Sequence, residues 1–332
     1  MKKWWIAGLA LVGLAAMLAG CFPAAQEPEV VPEPTAAANY DYTVSASPLI
    51  PSSLEVVDGV PMLKVYKVDE RAAEDMDIEQ YVQGVLAGEM RNDWPMEALK
   101  AQAILARTFV LKFVDEKRSQ YDGADISTDI KEAQAYDAAA VNERIKRAVS
   151  ETRGLVMVSG GKLPYAWFHA HAGGMTELAK PGLDYKDQEP PYTRVTASPD
   201  SDKAPTIVKD WTASFGMDEV RAAAKETGVD VGDVKTIGIG ERSASGRVVT
   251  LLINGKSVSA PNLRVALDSK KMKSTLLSSA AIEGDTVTFA GRGYGHGVGM
   301  SQWGAYAMAE RGDKAERIVK QYFKDVEIER FW

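Results

Sequence analysis

The residue whose setting most suggests chemistry is Glu89. Val82, Val85, Leu86 and Glu89 stand at i, i+3, i+4 and i+7, so a helix through them puts the carboxyl on one face with three apolar side chains. A carboxyl there is half buried. Lost solvation disfavours its charge, raises its pKa and keeps a proton on hand near neutral pH, as a general acid requires. The same spacing also suits a Glu at a helix end that reaches water or pairs with a neighbour. Lys100 and Arg107 are such neighbours: Lys100, Ile104, Arg107 and Leu111 share one helical stripe, while Leu99, Ala103, Ala106 and Val110 share another. Both faces are largely apolar, so the helix is buried and its two cations need an anion. Either they form a structural salt bridge, with Glu89 as one candidate partner, or they orient the acid or contact a ligand.

The three histidines fall in two glycine-bearing segments, His169 and His171 in residues 168–174 and His296 in residues 291–299. Glycine occupies every other position from Gly291 to Gly299, so one face of an extended chain is bare backbone that a ligand can approach closely. The alternative is a glycine-rich turn used for tight packing. No Gly-Lys-Ser/Thr follows, which excludes a phosphate loop. Ser301 suits the N-cap of a helix with Gln302 and Trp303 in its first turn. Amides, hydroxyls and aromatic faces are what sugar rings need, so Tyr294, His296, Ser301 and Gln302 are candidate sugar contacts. His169 and His171, two apart on a strand, point to one side and with His296 have the ligand count of an open zinc site. No carboxylate to orient them is identifiable from the sequence. Sugar contact is therefore the preferred reading, and no metal or other cofactor is expected.

The elements that must position these groups read as follows. A hairpin turns at Asp58-Gly59, with Val60, Met62, Tyr66 and Val68 on one side of its second strand and Leu63 and Val65 on the other. Helical spacing covers Ile78 to Met90 and Pro95 to about Lys117, with Pro95 in a first turn. Further helices fit Val141–Thr152, Asp218–Thr227, Pro261–Leu267, Gln302–Glu310 and Lys314–Phe323. Strands fit Gly154–Ser159, Tyr165–His171, Thr236–Ile239, Arg247–Ile253, Lys256–Val258 and Thr286–Phe289. No repeat is present, and the expectation is an α+β fold of mixed helices and predominantly antiparallel sheets around one composite core.

With 332 residues, 45% of them hydrophobic, the chain has enough apolar side chain for a substantial core. Its 39 basic against 46 acidic residues give a net charge of −7, which makes nucleic acid a poor candidate partner. Met1-Lys2-Lys3 followed by the apolar run Trp4 to Leu18 reads as a secretion signal over residues 1–20. The run ends in Leu18-Ala19-Gly20-Cys21, which resembles a bacterial lipobox, so Cys21, the chain's single cysteine, is expected to be acylated and to become the mature N-terminus. Residues 21–46 carry Pro23, Pro28, Pro32 and Pro34 and read as a tether that reaches on the order of 80 Å when extended. The expected location is extracytoplasmic, on the outer face of the bacterial cell membrane, with residues 47–332 as the working domain.

Four segments together carry a resemblance: residues 81–90, residues 97–103 with Ala106-Arg107-Thr108, Phe168-His169 through Gly173-Gly174-Met175-Thr176-Glu177, and Gly291 to Ala309. They resemble the stage II sporulation protein D and amidase-enhancer family, and the likeness runs from about residue 50 to the end. The resemblance implies a peptidoglycan lytic transglycosylase that acts on glycan strands, often after an amidase has removed the stem peptides, with Glu89 as the catalytic residue. Other members are amidase modifiers, so a non-catalytic glycan-binding lipoprotein that stimulates an N-acetylmuramoyl-L-alanine amidase is the alternative. The implied partners are glycan strands, the membrane through Cys21 and a cell-wall amidase. Some members bind zinc through Cys and His before a Gln-x-Tyr element; here that stretch is Ile130-Lys131-Glu132-Ala133-Gln134-Ala135-Tyr136, without thiolates. His171 stands where a small hydroxyl residue is expected, which leaves open a rearranged site built on His169 and His171.

Overall fold

The computed structural model describes residues 47–332. The signal, Cys21 and the tether lie outside the described residues.

The first sheet is built on Val60–Lys67, which pairs antiparallel with Val56–Val57 across the Asp58-Gly59 turn and with Ala72–Asp77, and parallel with Ile126–Ser127. Val60 and Pro61 are buried at its start, and along its length Leu63 and Val65 are buried while Lys64 is exposed, so the lysine that interrupts the apolar pattern marks the outer face. Asp77 ends the third strand and caps the helix Ile78–Glu89 (α1), its carboxylate accepting from Gln80 N–H at 2.7 Å. Pro95 precedes the 21-residue helix Met96–Glu116 (α2), which is buried on most sides, as its two apolar stripes require. Asn142 caps Glu143–Glu151 (α3), accepting from the N–H groups of Arg144 and Ile145. These three helices pack on one another, and α2 also packs on Leu155–Val158, which pairs antiparallel with Glu327–Arg330 near the C-terminus.

The α+β architecture holds, with nine helices among the described residues and mostly antiparallel sheets. The core expected as one composite body is divided between two main clusters. One gathers α1, α2, α3 and the C-terminal helices Gln302–Glu310 and Ala315–Tyr322. The other lies among the antiparallel strands Asp210–Gly216, Thr286–Arg292 and Leu277–Glu283, a second three-stranded sheet over Ile237–Ser259, and the helices Met217–Glu226 and Ala260–Leu267. Tyr165–His171, expected as one strand, forms ladder bonds only at Phe168–His169. That short strand pairs parallel with Met300–Ser301, with Met300 opposite Phe168 and Ser301 opposite His169. His171 and Tyr294 bridge through both backbone N–H groups, at 3.0 and 2.9 Å. The two glycine-bearing segments, more than a hundred residues apart in sequence, are thereby joined side by side.

Candidate active site

Glu89 closes α1 and is 6% exposed. Its surroundings follow from two glycines one turn apart. A Cβ on Gly84 would lie 2.3 Å from the Tyr136 ring, and one on Gly88 would lie 2.7 Å from Tyr136 N and 2.8 Å from Ala135 C. Glycine at both places lets the loop 133–137 lie directly on the helix, where Asp137 N–H donates to the Gly84 carbonyl at 2.9 Å. Ala135 N–H then donates to Glu89 Oε1 at 2.7 Å. From the opposite side Gln302 Nε2 donates to the Glu89 carbonyl oxygen at 3.2 Å. Burial pushes the Glu89 pKa up to about 8, against the pull of the Ala135 N–H and the Gln302 amide, which favour the anion. Its place at the C-terminal end of a helix also disfavours negative charge. The result is a carboxylic acid that holds its proton at neutral pH and is aimed by a backbone amide.

Gln302 is placed by Ser301, which caps the helix Gln302–Glu310 by accepting from Gly304 N–H at 3.2 Å. The Ser301 hydroxyl donates to Asp200 Oδ1 at 2.5 Å and accepts from Ala172 N–H at 3.2 Å, so it anchors the loop rather than facing a ligand. Trp303 packs tilted against Trp94 with centroids 4.5 Å apart, and Tyr306 closes the trio at about 5 Å from each.

The histidines divide. His169 and His296 lie with ring centroids 5.6 Å apart. His169 Nδ1–H donates to the Val298 carbonyl at 3.1 Å, and Val298 N–H donates to His296 Nδ1 at 3.0 Å, which fixes opposite tautomers on the two rings. Burial holds both neutral: His169 is well below its ordinary pKa, and His296 is pushed down to about 3, with the Arg264 and Arg247 guanidinium groups adding to the effect. His171 turns away, its Nδ1 accepting from Gly173 N–H at 3.0 Å and standing 3.5 Å from Asp200. Tyr294 joins the segments through its backbone, and its ring lies under the Lys273 ammonium at 5.0 Å. Among the described residues, no group of three His, Cys, Asp or Glu is arranged to hold a metal ion.

Two expectations are corrected. Lys100 and Arg107 do not reach Glu89. Lys100 pairs with Glu97 and Glu151. Arg107, fully buried, is gripped by Glu79 through Nε at 3.1 Å and Nη2 at 2.6 Å. Glu79 also accepts from Gly154 N–H and Trp332 Nε1, so this anion ties α1 to α2, the 155–158 strand and the C-terminus. Helical spacing showed that the cations needed acids but not which: Arg107 takes Glu79 rather than Glu89 on α1, and Lys100 takes acids of α2 and α3. The bare glycine face of residues 291–299 is likewise not a ligand surface. A Cβ on Gly295 would sit 2.5 Å from His169 Cβ and one on Gly299 2.0 Å from the Trp167 carbonyl oxygen, so the protein's own chain fills the space glycine leaves.

Around Glu89 the structure brings Gln302 and the Ala135 amide, the latter on a loop whose lack of periodicity left spacing nothing to find, while His169 and His296 meet each other across Val298 and make no hydrogen bond to Glu89. Gln134 and His296 line a small cavity with Phe109, Ala133, Ala166, Trp167 and Phe168. A groove of about 1060 Å³ lined by residues 51–53 and 113–125 with Lys131 and Glu132 contains neither Glu89 nor a histidine.

The model of a stage II sporulation protein family matches residues 66–158, which span α1, α2 and the 133–137 loop, and a domain of unknown function matches residues 183–299. The chain is 33% identical over 282 residues to the stage II sporulation protein D of Bacillus amyloliquefaciens, covering 80% of this chain and 77% of that one. It is 31% identical to the Bacillus subtilis protein of the same name over 80% of this chain and 78% of that one. An amidase enhancer of Bacillus subtilis is 30% identical over 73% of this chain but only 39% of its own length. Likeness of that extent and level to proteins of nearly matching span shows that the chain belongs to the stage II sporulation protein D family.

Proposed function

We propose that this protein is a lytic transglycosylase that cleaves the bond between N-acetylmuramic acid and N-acetylglucosamine in peptidoglycan strands, within the cell-wall-related, sporulation-linked role that family membership supports. The observation that carries this reading is Glu89, a buried carboxyl at the end of α1 that Ala135 N–H holds at 2.7 Å and whose pKa burial pushes up to about 8. A hydrolase that adds water works with two carboxylates. A transglycosylase needs one. Protonated Glu89 gives its proton to the glycosidic oxygen as that bond breaks, and the resulting carboxylate takes the proton of the muramyl C6 hydroxyl as its oxygen closes on C1. The product is a 1,6-anhydro ring, and Glu89 ends as it began. Ala135 N–H steadies the carboxylate between the two steps, while Gln302 holds the end of α1 through the Glu89 main-chain carbonyl. The substrate on this reading is strands whose stem peptides an amidase has removed, and the chain works outside the cytoplasm, held to the membrane through acylated Cys21.

The likeness to an amidase enhancer favours a second reading, a glycan-binding partner that stimulates an amidase and cuts nothing. Glu89→Gln separates the two. It preserves shape and the Ala135 bond while removing the acidic proton. Strand binding persists, and cleavage falls by several orders of magnitude, since each acid or base step contributes roughly 10²- to 10⁴-fold. Cleavage unchanged by the substitution overturns the mechanism, and binding without cleavage in the unaltered protein establishes the enhancer reading.

A further inference from the structure

Trp303 and Tyr306 stand three residues apart on one side of the helix Gln302–Glu310, and both are half-buried. Trp94 backs them, its ring centroid 4.5 Å from that of Trp303 and 5.1 Å from that of Tyr306. Such a trio is ordinary core packing unless part of it stays open. Here part does: among the described residues neither the Trp94 nor the Trp303 indole N–H has a partner, and neither is sealed from water. The trio is also tied to the acid. Gln302, which bonds the Glu89 carbonyl, immediately precedes Trp303, and Trp94 lies on the turn 91–94 that follows α1 just past Glu89. Arg144 fixes that turn, donating from Nε to the Asn92 carbonyl at 3.1 Å and from Nη2 to the Trp94 carbonyl at 2.6 Å. The rings are thus held in place before a ligand arrives, which spares the cost of ordering them. The charged side chains beside them are paired, Arg91 with Asp93 at 2.7 Å and Lys203 with Glu310. The Lys203 ammonium lies over the Tyr306 ring at 5.5 Å, which leaves Trp303 as the open face.

We propose that Trp303, steadied by Trp94 and Tyr306, is the face on which an N-acetylglucosamine ring of the strand stacks. A flat apolar ring with a free N–H at its edge suits the C–H face and the hydroxyls of a sugar. In a strand stripped of its stem peptides each N-acetylmuramic acid carries a lactyl carboxylate, whereas N-acetylglucosamine is uncharged. A patch whose cations are already paired takes the uncharged sugar. The inference rests on the glycan reading given above and adds which sugar is held and by which side chain.

The test measures binding of denuded glycan strands in the Glu89→Gln background, where strands are not consumed. Adding Trp303→Leu weakens binding by about thirtyfold, as loss of an aromatic anchor does, whereas Trp303→Tyr keeps a flat ring and stays within about threefold. The ratio between Trp303 and Trp303→Leu is the same at low and high salt, because an uncharged ring is held without ion pairing. A second measurement needs no change at 303: in Glu89→Gln, oxidation by N-bromosuccinimide, mapped by mass spectrometry, marks Trp303 in the free protein, and bound strands protect it. Strands bound equally well by Trp303→Leu, a loss shared equally by Trp303→Tyr, or Trp303 oxidation that bound strands leave unchanged overturns the proposal and leaves the glycan reading intact. A ratio that shrinks as salt rises puts a charged group on the ring and overturns the N-acetylglucosamine assignment. No strand binding by Glu89→Gln itself overturns the glycan reading.

Discussion

Gly88→Ala tests whether the 133–137 loop positions the acid. On helix propensity alone this change in α1 stabilises the protein by about 1 kcal/mol. The structure predicts the reverse. The added Cβ meets Tyr136 N at 2.7 Å, Ala135 C at 2.8 Å and Ala135 O at 3.0 Å, all main-chain atoms that no rotamer change can move. To restore an ordinary contact of 3.4 Å, the loop must retreat by about 0.7 Å from the helix. That displacement stretches the 2.7 Å bond from Ala135 N–H to Glu89 beyond useful length. A hydrogen bond to an ionised group is worth about 1.5–3 kcal/mol, so its loss raises the Glu89 pKa further, by roughly 1–2 units. The acid is also misaimed, and errors of this size cost on the order of 10²-fold in rate. Overpacking outweighs the propensity gain and lowers stability by roughly 1–2 kcal/mol net. The assay pairs a melting curve with the rate of cleavage of denuded strands as a function of pH. A Gly88→Ala protein that melts at or above the unaltered Tm and cuts at the unaltered rate refutes the reasoning.

Cleavage should be constant below about pH 8 and fall above it, since the protonated form of Glu89 starts each turnover. Because the folded pKa is raised from 4.5 to about 8, stability is fully present below the unfolded value and lost as pH rises through the folded one; Glu89→Gln should therefore match the unaltered protein near pH 4.5 and exceed it by roughly 4–5 kcal/mol at pH 9 in urea unfolding. Glu79→Ala strands the buried Arg107 and should cost about 3–5 kcal/mol in the same measurement, a loss of fold rather than of chemistry. Cys21→Ser should shift the protein from the membrane fraction to the soluble one or halt its processing, whereas an unmodified mature N-terminus elsewhere contradicts the lipobox reading.

What the sequence disclosed was local. Periodicity placed Glu89 on an apolar face and read α2 as buried from its two stripes, and both hold because a helix converts spacing directly into direction. Of the strands it missed, Ala72–Asp77, Leu277–Glu283 and Glu327–Arg330 are mostly exposed and carry too few apolar residues to show alternation, whereas Asp210–Gly216 does alternate, with Trp211, Ala213 and Phe215 between polar residues, and was overlooked. Contacts between distant segments left no spacing to read. The grip of Glu79 on Arg107 spans 28 positions, and the bond from Ala135 to Glu89 spans 46. The alternating glycines drew notice as a ligand surface, yet Gly293, Gly295 and Gly299 answer the close approach of residues 167–173, Gly291 that of Trp211 and Leu276, and Gly297 that of the Arg247 guanidinium, contacts visible only once the fold is known.

The central claim is that a single carboxyl, Glu89, breaks the glycan bond by proton transfer without adding water. Mass spectrometry of purified denuded strands treated with the protein tests it most directly. The account predicts fragments that end in 1,6-anhydro-muramic acid, each lighter than the hydrolysis product by one water, and none from Glu89→Gln. Reducing ends would show a hydrolase with a second carboxylate at work, and strands left whole by the unaltered protein would contradict the catalytic claim altogether.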